Sequence, residues 1–157
     1  MDLNQQLQTL IDNAPQDGQT PIAMQQAVAP VLRLLAQRLQ YLEYFVLQSL
    51  EGGWVLTTLS HREQPEVQKY VIYAFATLDD ARVFQSQPDP GLIAAPVPVT
   101  HILFQLFALE EASSVLFMET PGNLRQGVEV KRADLQELVQ LQWQERTQPR
   151  QVPPDLA

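Results

Sequence analysis

The residues able to do chemistry are few and scattered. His61 and His101 are the only imidazoles in 157 residues, and two are too few for a histidine-built metal site. His61 stands in an expected turn and His101 in the first turn of an expected helix, so both read as surface groups. Asp79-Asp80 and Glu110-Glu111 are the adjacent carboxylates that could share acid–base work. Neighbours on a helix point to different faces, however, and Asp79-Asp80 falls in a first turn, where the helix dipole favours negative charge. Glu110-Glu111 falls near a helix end and reads as solvated. Ser49, Ser60, Ser86, Ser113 and Ser114 sit in no G-x-S-x-G context, and Gly52-Gly53 lacks both the next glycine and the helix of a phosphate-binding turn. With no cysteine, disulfides, thiolate catalysis and cysteine-held metals are excluded. These residue types therefore point to no catalytic site, no metal site and no cofactor.

Charge narrows the partners. The formal net charge is -8 and the isoelectric point about 4.6, a balance that repels phosphate backbones and anionic headgroups. Lys131-Arg132 with Arg125 is the sole basic cluster, and it complements the acidic surface around it. Nucleic acid and membrane insertion are not expected. No stretch approaches the roughly 18 uninterrupted apolar residues of a membrane span, and Met1-Asp2-Leu3-Asn4 has no signal-peptide character. A cytoplasmic protein is the expectation.

The elements follow from periodicity and punctuation. Leu3, Leu7, Leu10 and Ile11 at helical spacing behind Asp2 predict a short helix over 3–12. Thr20-Pro21 has the form of a cap and first-turn proline. Pro30 predicts a kink or a fresh start, followed by a long helix from Pro30 to Leu50, because Leu32, Leu35, Leu39, Leu42, Val46 and Leu50 recur at three- and four-residue steps. Trp54–Leu59 and Gln68–Phe75 read as antiparallel strands. In the second, Tyr70, Ile72 and Ala74 face one way and Val71, Tyr73 and Phe75 the other, both apolar, which predicts a central strand covered by helices. Thr77 with Asp80 has capping-box spacing and opens a short helix. Leu92–Pro98 is an extended stretch whose prolines restrict it to an edge strand or loop. Thr100 reads as the cap of a helix reaching about Leu109. Val115–Glu119 and Val128–Val130 read as strands around a Thr120-Pro121-Gly122 turn, and a last helix, about Ala133 to Glu145, buries Leu135, Leu138, Val139 and Leu141.

The order from the Val71–Phe75 strand, through Thr77-Leu78-Asp79-Asp80-Ala81-Arg82-Val83-Phe84, to Val115–Gly122 and Gly127–Leu135 resembles the N-terminal domain of the SseB (enhanced serine sensitivity) family. Thr77, Ala81 and Phe84 match its T-x-x-x-A-x-x-F helix. Thr120-Pro121-Gly122 matches its asparagine-proline-glycine turn with threonine in the first place. The resemblance covers about half the chain. It implies an α+β domain without enzymatic activity and with a protein-interaction role.

The expected architecture is α+β: a small mixed or antiparallel sheet flanked by helices, with an N-terminal helical extension. A helical segment over 1–51 packs as one domain with an SseB-like core over 52–146, and a flexible tail covers 147–157. With the apolar stripe of the long helix and the aromatic at the end of the last one, Leu35, Leu39, Leu42, Phe45 and Trp143 form the expected interaction surface, for a protein partner or a homodimer. The alternative is a regulatory subunit that binds a small molecule between the sheet and the helix at 100–110.

Overall fold

The computed structural model describes residues 1–60, 63–64, 66–87 and 89–147. The first helix, α1 (Leu3–Asp12), begins where expected: the Asp2 carboxylate accepts from the Gln5 N–H while the Gln5 side chain accepts from the Asp2 N–H. After a turn, α2 (Thr20–Ala23) runs into a π-helical turn (Met24–Val28) and then α3 (Ala29–Gln37). Pro30 explains that wide turn. It has no N–H for the Gln26 carbonyl, and its ring would strike that oxygen in a regular α-helix. The backbone widens instead, and the Ala29 N–H donates to the Met24 carbonyl.

The chain then departs from the expected long helix. Residues 43–49 form β1 (Glu43–Ser49), so Pro30–Leu50 is not one helix and 1–51 is not wholly helical. The leucine steps continue into β1 by coincidence, since in the strand Tyr44 and Val46 face one side of the sheet and Phe45 and Leu47 the other. Aromatic and β-branched residues fit that half-buried pleat better than a helix. Glu51-Gly52-Gly53, just past the end of the expected helix, is a turn between strands, with Gly52 at φ 90°.

The remaining elements are β2 (Thr57–Ser60), β3 (Gln68–Phe75), α4 (Leu78–Gln85), β4 (Leu92–Pro98), α5 (Val99–Ala108), β5 (Ser114–Met118), β6 (Val128–Lys131) and α6 (Arg132–Thr147). Strand β2 is shorter than expected: Trp54 makes only a single bridge to Gln48. The sheet is mixed, in the order β4-β1-β3-β5-β6, with β2 pairing the first half of β3. Only β3 and β5 run parallel. β3 is central, as its two apolar faces require, and β4 is an edge.

Two cores lie on the two faces. Ile72, Ala74, Val115 and Phe117 join Tyr44 and Val46 beneath α1, α3, α5 and α6. Phe75, Leu47, Met118 and Ala81 of α4 form the smaller core opposite, with Tyr73 and Phe84 against them. Leu141 is half exposed, not buried as expected. The tail expected beyond Thr147 lies outside the described residues. Among the described residues no helix is long and apolar enough to cross a membrane.

Candidate functional site

The expected surface residues do not form one surface. Leu35 and Leu39 line a hollow of about 280 Å³ between α3, β6 and α6. Leu42 is exposed in the α3–β1 connection, and its carbonyl holds the Val99 N–H. Phe45 packs into the smaller core on the opposite face of the sheet. Trp143 stands apart on α6, 37% exposed. The reading of Pro30–Leu50 as one helix placed Leu35, Leu39, Leu42 and Phe45 on one stripe; the strand at 43–49 turns Phe45 to the opposite face of the sheet.

Trp143 lines an open apolar concavity. Three helices contribute to it, each with a stripe at three- and four-residue spacing: Thr20, Ala23, Met24, Ala27 and Val28 from α2 and the π-turn, Phe104 and Phe107 from α5, and Gln136, Val139, Gln140 and Trp143 from α6. Its volume is about 640 Å³. An adjoining hollow of about 550 Å³, between Gln19, Thr20, Ile22, Ala23 and Trp143, continues it toward the start of α2. Small residues make the room, since Ala23 and Ala27 stand where larger side chains would fill the gap. None of the lining residues carries a charge, in a chain of net charge -8. The polar side chains in the lining are Gln19, Thr20, Gln136 and Gln140, with the Trp143 indole N–H.

Inside α5 the arrangement is different. Val99, Thr100, Ile102, Leu103 and Leu106 have no exposed surface, so the helix is packed solidly on its sheet side. The concavity beside α5 opens on its other side, at Phe104 and Phe107.

Polar networks position these helices. Thr100 does not cap α5 with its own side chain, as expected; Pro98 holds the cap position. Gln6 of α1 supplies the acceptor instead. Its amide oxygen takes the Thr100 hydroxyl at 2.8 Å and the Thr100 N–H at 3.2 Å, while its amide nitrogen donates to the Leu42 and Met1 carbonyls. His101 Nε2 lies 3.1 Å from the Gln6 backbone carbonyl. A buried glutamine among leucines is the only hint the sequence offers. His61 lies outside the described residues.

Elsewhere, Asp80 is 5% exposed and accepts from the Gly122 N–H at 3.0 Å. It therefore anchors the Thr120-Pro121-Gly122 turn and does not close the expected box on Thr77, whose hydroxyl alone accepts from the Asp80 N–H. Glu119 accepts from the Tyr44 hydroxyl at 2.8 Å and from the Gln40 N–H at 2.9 Å. Burial, and next the Glu119 hydrogen bond, raise the Tyr44 phenol above its ordinary range, so it stays protonated as a donor. The Lys69 hydrogen bond holds Glu129 below the usual carboxylate range, with Ser114 donating to the same oxygen. Glu110 and Glu111 are exposed. Among the described residues no group of three His, Asp or Glu could hold a metal ion.

No protein-family model matches the chain, and no curated protein matches it in sequence.

Proposed function

We propose that this chain is a cytoplasmic, non-enzymatic interaction domain of the SseB-like type, and that the groove between the π-turn, α5 and α6 receives an amphipathic segment of another protein. The observation that carries the reading is the uncharged lining with Trp143 at its mouth. An apolar groove left open to water is costly unless something covers it. Helix-bounded grooves of this kind take the apolar face of a partner helix through side chains at i, i+3, i+4 and i+7. Tryptophan is the residue type most enriched among those that dominate binding energy.

Affinity capture from the native cell, read by mass spectrometry, tests the proposal when run beside Trp143→Ala and Ala23→Glu. The first removes the anchor and the second puts a charge at the mouth of the groove. A specific partner recovered by the unaltered chain should fall at least about tenfold with either variant, since truncating such an anchor costs on the order of 2 kcal/mol. Recovery unchanged by both variants would sink the groove as the binding site.

The volume of about 640 Å³ also suits a drug-sized molecule, which supports a second reading as a small-molecule-binding regulatory subunit. Native mass spectrometry of the purified chain separates the two: a stoichiometric adduct lost in Ala23→Glu belongs to the second reading.

A further inference from the structure

The two ends of the strand order β4-β1-β3-β5-β6 are built differently. On β4, the Val99 N–H donates to the Leu42 carbonyl and the Leu50 N–H to the Gly91 carbonyl. In the β1–β4 register, alternation then turns the backbone of 93, 95 and 97 toward β1 and that of 92, 94, 96 and 98 outward. Pro96 and Pro98 thus occupy outward positions and have no N–H to offer there, which closes much of that edge to another strand.

Strand β6 has no proline. Its alternation is fixed by the Arg132 N–H, which donates to the Ser113 carbonyl at 2.9 Å. In the β5–β6 register, Val128 and Val130 then bond to β5, and Glu129 and Lys131 turn both N–H and C=O outward. Among the described residues no strand pairs with this edge. Val128 is 42% exposed, and on the helix side Val128 and Val130 floor the hollow of about 280 Å³ walled by Leu35, Leu39 and Leu138.

We propose that β6 pairs, antiparallel and about a two-fold axis through Val130, with β6 of a second copy of this chain. The charge order selects that occupant. With Val130 opposite Val130, Glu129 lies across from Lys131 of the second copy, and by symmetry Lys131 lies across from its Glu129. These are the outward-facing residues, so each such pair exchanges both backbone hydrogen bonds and brings Lys131 beside a Glu129 carboxylate that also accepts from Lys69 and Ser114 of its own chain. A shift by one residue would oppose inward to outward backbone groups and lose the bonds. A foreign strand would need the same charges in the same order; a short, charged edge otherwise discourages pairing. The contact also sets the two Val128–Val130 floors edge to edge and covers Val128. This surface is separate from the Trp143 groove and does not depend on it.

Sedimentation of the full chain from low micromolar to several hundred micromolar reads the proposal. A reversible monomer–dimer equilibrium is expected. Lys131→Glu and Glu129→Lys each set like charges opposite in both pairs and should raise the dimer dissociation constant roughly tenfold or more. An equimolar mixture of the two variants should associate again, as a heterodimer, because Glu129 of the first then faces the native Lys131 of the second, and the two introduced charges, of opposite sign, face each other. Lys131→Pro removes an outward N–H without reversing charge and should weaken the dimer too. Trp143→Ala should leave it unchanged, which separates this contact from the groove. Circular dichroism checks that each variant folds; if Glu129→Lys does not, Lys131→Glu and Lys131→Pro decide alone. A monomer at every concentration, a dimer indifferent to the Lys131 variants, or two folded variants that fail to associate on mixing would overturn the proposal.

Discussion

Gln6 uses its whole side-chain amide on other segments: nitrogen to the Met1 and Leu42 carbonyls, oxygen to the hydroxyl and N–H of Thr100. At 2% exposure no water can replace these partners. Gln6→Leu should therefore cost about 2–4 kcal/mol, because the buried Thr100 hydroxyl and N–H lose their acceptor. Urea unfolding measures it, and a loss below about 0.5 kcal/mol, the range of a neutral surface change, would mean that Gln6 does not tie α1 to α5. Gln6→Glu refines the test, since a carboxylate accepts from Thr100 but cannot donate to Leu42. That variant should be weakened near neutral pH and recover in part at acid pH, when its protonated oxygen can donate. Little of this was legible beforehand. Thr100 was read as its own helix cap because capping rules look three residues ahead, whereas its acceptor stands 94 residues away.

The same limit explains which elements were legible. Helices α1 and α4 announce themselves through Asp2 and Thr77, whose caps are local, and β3 through strict alternation over Gln68–Phe75. Strand β1 was missed because leucine spacing across residues 32–50 satisfies a helical period while Tyr44 to Leu47 also satisfy a strand; only pairing with β3 and β4 decides between them. The start of α2 shows a cap displaced from its expected place. Gln19 holds the cap position without a side-chain bond, and the Asp17 carboxylate accepts from the N–H groups of Gln19 and Thr20 and from the Thr20 hydroxyl. Those bonds, the Thr20 N–H first, hold Asp17 down to about 2. A depressed carboxylate supports the helix start above its ordinary range and loses that support as pH falls through about 2. In an NMR titration, the Thr20 and Gln19 amide shifts should follow a midpoint near that value, and Asp17→Asn should abolish it. A midpoint near the ordinary carboxylate pKa would show the cap absent in solution. Since Thr20 lines the Trp143 groove, fraying here should also loosen that wall.

At the scale of the molecule, β1 decides whether the N-terminal third is an extension or part of the core. The α+β class was legible from the alternation of strand and helix patterns, but the boundary at 51/52 followed from taking residues 30–50 as a helix. As a strand, 43–49 lies inside the sheet: it pairs with β3 on one side and along the whole of β4 on the other, and without it β4 has no neighbour. Tyr44 and Val46 fill the main core with Leu32 of α3 and Leu7 of α1, all almost completely buried. Cutting the chain before Gly52 would remove α1 to β1 together, exposing Ile72, Ala74, Ile102, Leu103 and Leu106 to water. Each of these leucines and isoleucines contributes up to about 1.5–3 kcal/mol by burial, against a net stability of about 5–15 kcal/mol for a whole domain. A fragment of residues 52–157 should therefore show no cooperative thermal transition, while the full chain unfolds in one step. A fragment with a sigmoidal melt and native-like near-ultraviolet dichroism would mean that the sheet closes without β1 and that the N-terminal third is an appendage after all. Mixing the fragment with a 1–51 peptide adds a further reading: recovery of the transition only in the mixture places the stability in the β1–β3 and β1–β4 seams.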